Sequence, residues 1–251
     1  MKRTGIGRHN IEYYDSIDEM PIERYQKFNK YLLVDSGIGS DLRDFDTHIE
    51  KVLRFLSVKD TESVQTELEN MRQCVYMVQQ GLSPKYMAFS CLVARLDGKE
   101  VKCTDDDIKA VYDALKDVRK SDIDTAMDNA KKKVDSELSA FFPSLFESAK
   151  EKEYYDILKK LTEARLRKIQ GESVDVEAVE TKLMTITKPR SFTGAKSVEL
   201  AYEKEYERLC LIISSELHAN AKAMTVKEYY MAYEILKERN EEQQKLNKNG
   251  R

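Results

Sequence analysis

Tryptophan is absent from this chain of 251 residues, and glycine (9), proline (4), cysteine (4) and histidine (3) are scarce. Each shortage excludes something. So few helix breakers argue against a turn-rich β architecture and for long helices. Cys74, Cys91, Cys103 and Cys210 form no close pair, which argues against a disulfide framework. They are expected to be reduced thiols acting as small apolar core residues. His9, His48 and His218 lie far apart, none with a second ligand at helical spacing, so no zinc motif is present. No apolar run approaches the roughly 18 residues that cross a bilayer. Lys2, Arg3 and Arg8 lead into no apolar stretch of the kind a secretory signal carries. A net charge of −3 lacks the basic excess of a general nucleic-acid binder. The expectation is a soluble protein made inside the cell, with no membrane partner and nucleic acid not its main partner.

Charge and helical periodicity are abundant. Asp, Glu, Lys and Arg make up 35% of the residues, against about 25% in an ordinary domain. Apolar residues, at 41%, recur at spacings of three and four. Helices are expected from Pro21 to Gly37 and after Ser40 as a cap, with Leu42, Phe45, Ile49, Val52, Leu53 and Leu56 facing inward. A third begins after Asp60 with Val64, Leu68, Met71, Val75 and Val78 as its core stripe, and Gly81 ends it. Ser83-Pro84 opens the most apolar stretch, KYMAFSCLVARL, expected as a central buried helix. Asp97-Gly98 either closes that helix or turns a small β-hairpin. Thr104 caps the next helix. A helical pattern from Ser121 to Gln170 is interrupted at Pro143, and a shorter helix covers VEAVETKLMTI. Two more follow, the last opened by the capping box Thr225–Glu228.

The fold class read from this pattern is all-α, a multi-helix bundle of eight or nine helices with an extended N-terminal arm. Residues 1–15 form the arm, 16–186 the helical body, 187–197 a linker loop, and 198–251 a C-terminal helical pair with a polar tail. No internal repeat of solenoid length occurs.

No catalytic signature emerges, and no enzyme or cofactor is expected. The SGIGS loop has neither GxGxxG spacing nor a Walker lysine, and it follows a helix; it reads as a turn with Gly37 at positive φ. Asp41, Asp44 and Asp46, like Asp105, Asp106 and Asp107, sit at helix N-termini, where carboxylates belong without any cation. What remains is surface. The doublets Tyr13-Tyr14, Tyr154-Tyr155 and Tyr229-Tyr230 must each turn one ring away from a core stripe, since neighbours on a helix point about 100° apart. Tyrosine suits interfaces, having an apolar body and a polar tip. The expected partner-binding residues are therefore Lys2, Arg3, Arg8, Tyr13 and Tyr14 on the arm and Lys188, Arg190 and Phe192 on the loop. If the arm is free, removing residues 1–12 leaves the melting temperature unchanged.

Two runs, IEYYDSIDEMPIERYQKFNKYLLVDSGIGSDLRDFDTHIEKVLRFL and ELENMRQCVYMVQQGLSPKYMAFSCLVARLDGKE, together covering roughly residues 11–100, carry a resemblance. The sequence resembles helical structural proteins of tailed phages, in particular the crAss-like phages of gut Bacteroidales. The resemblance implies a virion protein made in the host bacterial cytoplasm: a head–tail connector or portal-vertex ring subunit. Its partners would be the portal or neighbouring ring subunits, as a homo-oligomer. An assembly scaffold or chaperone, an ejected cargo protein and a helical nucleic-acid-associated regulator stand as alternatives.

Overall fold

The computed structural model describes residues 1–145 and 149–249. Those residues hold ten α-helices and a small antiparallel sheet, so the chain is mostly helical but not purely so. The local start signals account for most of the helices. Helix α1 (Ile22–Gly37) follows Pro21, and α3 (Thr61–Gln80) is capped by Asp60 and stopped by Gly81 in the left-handed conformation. Ser83 caps α4 (Pro84–Leu92) and Thr104 caps α5 (Asp105–Leu115). Helix α2 (Leu42–Ser57) departs from expectation. Its cap is Asp41 rather than Ser40, in a capping box with Asp44. Gly39, not Gly37, takes the positive φ, and a Cβ there would collide with Asp44.

The interrupted pattern after Ser121 is two helices, α6 (Lys120–Phe141) and α7 (Ala149–Ile169), with a 3-10 turn at Pro143–Leu145; this split makes ten helices where eight or nine were expected. Residues 146–148 of that pattern lie outside the described residues. Next come α8 (Val176–Ile186), α9 (Val198–Leu217) and α10 (Val226–Asn249). The polar tail expected from Glu241 is the end of α10, and residues 250–251 lie outside the described residues.

The chain divides into two compact units, neither of which follows the expected linear division. The first takes Met1–Ser36, Ser83–Phe141 and Glu199–Arg251, and the second Gly37–Leu82 and Phe142–Val198. The C-terminal pair therefore belongs with the N-terminal segment, and 187–197 belongs to the second unit.

In the first unit the expected arm is a β-hairpin. Strands β1 (Lys2–Ile6) and β2 (His9–Tyr13) pair with each other, and β2 pairs with β3 (Val93–Leu96), which turns into β4 (Lys99–Glu100). Of the two readings of Asp97-Gly98, the hairpin holds, with both residues at positive φ as a two-residue turn of matching twist requires. Ile6, Ile11 and Tyr13 on one side of the sheet are buried, and the Tyr13 ring meets Phe89 of α4 edge-on at 5.5 Å. α4 is the centre of this unit, with Pro84, Tyr86 and every residue from Ala88 to Leu92 buried.

Where α4 ends and β3 begins, carbonyls that face into the core need a donor. Arg24 of α1 supplies it. Its guanidinium donates to Cys91 O at 3.0 Å, Val93 O at 2.8 Å and Val101 O, and stacks on the Tyr14 ring. A second tie joins distant sequence: Val226 N and Lys227 N at the start of α10 donate to Met20 O and Ile17 O ahead of α1.

In the second unit, three of the four buried residues of α3 are polar. Ser63, Glu67, Asn70 and Cys74 face inward, while the expected stripe of Val64, Leu68, Met71 and Val75 is only half-buried and Val78 is exposed. Opposite them α2 buries His48 and Phe55. His48 Nδ1 lies 2.7 Å from Glu67 Oε1 and Nε2 lies 2.8 Å from Ile38 O, at 3% and 1% exposure for the two side chains. Both ring nitrogens thus lie within hydrogen-bond distance of an oxygen, which fixes the orientation of the ring. Burial works against ionisation of Glu67. The hydrogen bond from His48 and the Lys51 ammonium at 3.3 Å overcome it and hold the carboxyl below its ordinary value. A separate small core of Leu161, Ala164 and Val176 joins α7 to α8.

Three outcomes are expected. Deleting residues 1–12 removes two core isoleucines and lowers the melting temperature by at least about 4 °C, measured by circular dichroism. Arg24→Met strands three carbonyls and costs about 3 kcal/mol in urea unfolding. Glu67→Gln costs stability near neutral pH. Because the native carboxyl titrates below its unfolded value, the wild-type advantage is present above about pH 5 and closes as pH falls below about 4, measured by denaturation at each pH.

Candidate interaction surface

The His48–Glu67 pair sets the rotation of α2 about its own axis. Adjacent helix positions differ by about 100°, so turning His48 and Phe55 inward swings the neighbouring row outward. That row is the one expected in the core. Leu42 is 72% exposed, Leu53 60% and Leu56 52%, with Ile49 also exposed and Phe45 and Val52 half-buried. An apolar row four turns long, standing in solvent on a capped helix, is the kind of feature that marks a docking face. Asp46 and Glu50, both exposed, flank it.

The tyrosine doublets divide as helix geometry or strand alternation demands. Tyr13 and Tyr229 are buried, Tyr14 and Tyr230 half-buried, and Tyr155 is exposed beside a half-buried Tyr154. Tyr155 belongs to a second apolar row, with Leu158, Leu166 and Ile169 of α7, the last at 82% exposure.

The residues expected to bind partners meet different fates. Lys2, Arg3 and Arg8 are exposed on the hairpin, and Arg3 pairs with Glu12 at 2.8 Å. Tyr13 is a core ring and cannot be a contact. Tyr14 lies under Arg24. In the loop, Lys188 and Arg190 are exposed, but Phe192 is buried, its ring so close to Gly37 that a Cβ there would sit 2.2 Å from it. Asn70 Nδ2 donates to Arg190 O at 2.9 Å and Lys188 approaches Asp60 at 3.5 Å, so the loop is anchored to its own unit. Neither segment is the free reach expected of it.

Elsewhere the charged side chains of the two main concavities largely pair with one another. A cleft of about 300 Å3 in the first unit is lined by Lys27, Lys30 and Lys222, which pair with Asp105, Glu203 and Glu207. A concavity of about 610 Å3 on the sheet holds Arg3 with Glu12, and Asp97, which receives His9 at 2.7 Å. Burial pushes the Cys74 thiol up to about 11 and Cys91 to about 12, which keeps both protonated and unreactive. Among the described residues no cluster of three or more His, Cys, Asp or Glu side chains is placed to hold a metal ion, and no helix is long and apolar enough to cross a membrane.

Residue type and periodicity reveal the α2 row but not its direction. The signal for direction was the polar set Ser63, Glu67 and Asn70 on α3, spaced four and three, which needs polar partners, and α2 meets Glu67 with His48 and Lys51. No protein-family model, curated protein or solved structure matches this chain.

Proposed function

We propose that this chain is a non-enzymatic assembly protein that works by protein–protein contact, as a structural component of a tailed-phage particle. The observation that carries the first part is the outward apolar row of α2, held there by the buried hydrogen-bonded pair His48–Glu67. A chain whose purpose was only to fold would place Leu42, Leu53 and Leu56 inside and a histidine and a carboxylate outside. The phage setting is supported by the resemblance over residues 11–100, a span that includes α2, and within that setting a head–tail connector or portal-vertex ring subunit is the specific role. The anchored hairpin and loop move the expected contact surface away from residues 1–15 and 187–197 and onto helix faces.

The test is an antibody blot for the chain on gradient-purified particles, before and after a high-salt wash. A band that survives the wash is expected. Absence from particles, with abundance in infected-cell lysate, would overturn the virion role and leave an assembly chaperone or regulator. Leu53→Glu, at an exposed position, is expected to keep full helicity while lowering incorporation about tenfold or more, the loss typical of a central interface side chain.

A further inference from the structure

We infer that the cleft between α1 and α9 of the first unit is a binding site for a guanidinium compound about the size of arginine. The site is independent of the α2 row and of the proposed assembly role.

The cleft holds about 300 Å3, at the lower end of what small-ligand pockets take. Its charges do not cancel. Lys27 pairs with Asp105 at 2.8 Å, Lys30 with Glu203 at 2.8 Å and Lys222 with Glu207 at 2.7 Å. Beyond those three pairs stands Glu23, in the first turn of α1, a lining carboxylate with no hydrogen bond or ion pair among the described residues. Lys27 and Lys222 both feel its charge, but each contacts another carboxylate instead. The cleft therefore carries one net negative charge. An anion entering it would have to draw a lysine away from its carboxylate, whereas a cation finds Glu23 open.

The walls also lack hydrogen-bond donors. Gln26, three residues beyond Glu23 and so on the same face of α1, has its Oε1 buried with no donor among the described residues. On α9 the Tyr206 hydroxyl is buried with only the Cys210 thiol, a weak partner, beside it. Five buried polar atoms are left in this state among the described residues, and two of them belong to side chains that line this one cleft. Buried polar groups are nearly always paired, so orphans gathered at a cleft mark where a ligand's donors belong. Tyr202 and Tyr206, four apart on α9, add two half-buried rings to the wall. These features select a guanidinium over an ammonium. Its planar fork of five donors reaches a carboxylate along one edge and an amide oxygen along another, and its flat face stacks on tyrosine. An ammonium is a compact, strongly hydrated point charge and matches neither the fork nor the rings. On binding, one edge pairs with the Glu23 carboxylate, and a rotation of the partly exposed Gln26 side chain turns Oε1 onto a remaining N–H.

The experiment is NMR on the full chain with isotope-labelled tyrosine, titrated with methylguanidinium, butylammonium, free arginine and N-acetylarginine amide. Saturable shifts at Tyr202 and Tyr206 are expected with methylguanidinium, with a Kd of about 1 mM or below. Butylammonium is expected to bind about tenfold more weakly or not at all. Glu23→Gln is expected to keep its helicity and lose about tenfold or more in affinity, the loss typical of a charge-assisted hydrogen bond. Gln26→Met removes an acceptor that has no donor, so it is expected to keep or raise the melting temperature while weakening binding severalfold. Tighter binding of free arginine than of the blocked amide assigns the site to a small molecule, and equal binding assigns it to an arginine side chain. Absence of saturable shifts at both rings up to roughly 50 mM overturns the inference. So does an affinity that Glu23→Gln leaves unchanged, or an equal response to butylammonium.

Discussion

The buried contact between His48 and Glu67 is the constraint on which the second unit turns. An imidazole with acceptors at both nitrogens, 2.7 Å and 2.8 Å away, has one orientation, and a helix carrying it has one rotation about its axis. Desolvating the pair is costly, and two apolar residues of similar volume would fold at least as stably. What the pair contributes is specificity. It makes the face with His48 and Phe55 the inner one, although by hydrophobicity alone the face with Leu42, Ile49, Leu53 and Leu56 would win. Glu67 is in turn held ionised by His48 and Lys51, so the orientation of α2 depends on charges contributed by α3 and by α2 itself.

Arg24 plays the corresponding part in the first unit, by hydrogen bonding rather than by rotation. α4 is an apolar helix that stops abruptly at Leu92 and continues as β3, a change of backbone geometry that leaves the Cys91 and Val93 carbonyls pointing into the core, where the Val101 carbonyl just beyond β4 joins them. One guanidinium serves all three because its donors are fixed in a planar fork. The N-terminal hairpin then completes β3 from its other side, which is how residues 1–13 became core structure.

Most of the helices were legible because their signals are local. Asp60, Ser83, Thr104 and Gly81 act within one turn of where they stand, and the structure uses all four as caps. The hairpin at residues 2–13 was not legible in the same way. KRTGI and HNIEY are short, with only Ile6, Ile11 and Tyr13 as apolar alternation, and their stability comes from β3, some eighty residues away. The inverted polarity of α2 and α3 was hidden for a different reason. Periodicity gives the existence and width of an apolar arc but not which neighbour it meets. The two polar residues that decide the matter, His48 and Glu67, are nineteen residues apart on separate helices. Two of the expected contact residues were misplaced likewise. Tyr13 and Phe192 were read as surface from the composition around them, while strand pairing and the open space over Gly37 made them core.

An outward apolar row has an energetic meaning for the isolated chain. Burying a leucine or isoleucine side chain is worth roughly 1.5–3 kcal/mol, so a row of four left in water forgoes several kcal/mol of possible stability. The same unit also bears the desolvation of the buried Glu67 carboxyl and its His48 partner. Both penalties act on the monomer, and the first is recovered only when the row is covered. Under the proposed function, association would be the step at which the second unit reaches its full stability, with Asp41 and Asp44 already fixing the first turn of α2. A preformed helix face loses little conformational freedom on docking, which favours tight contact from a modest area.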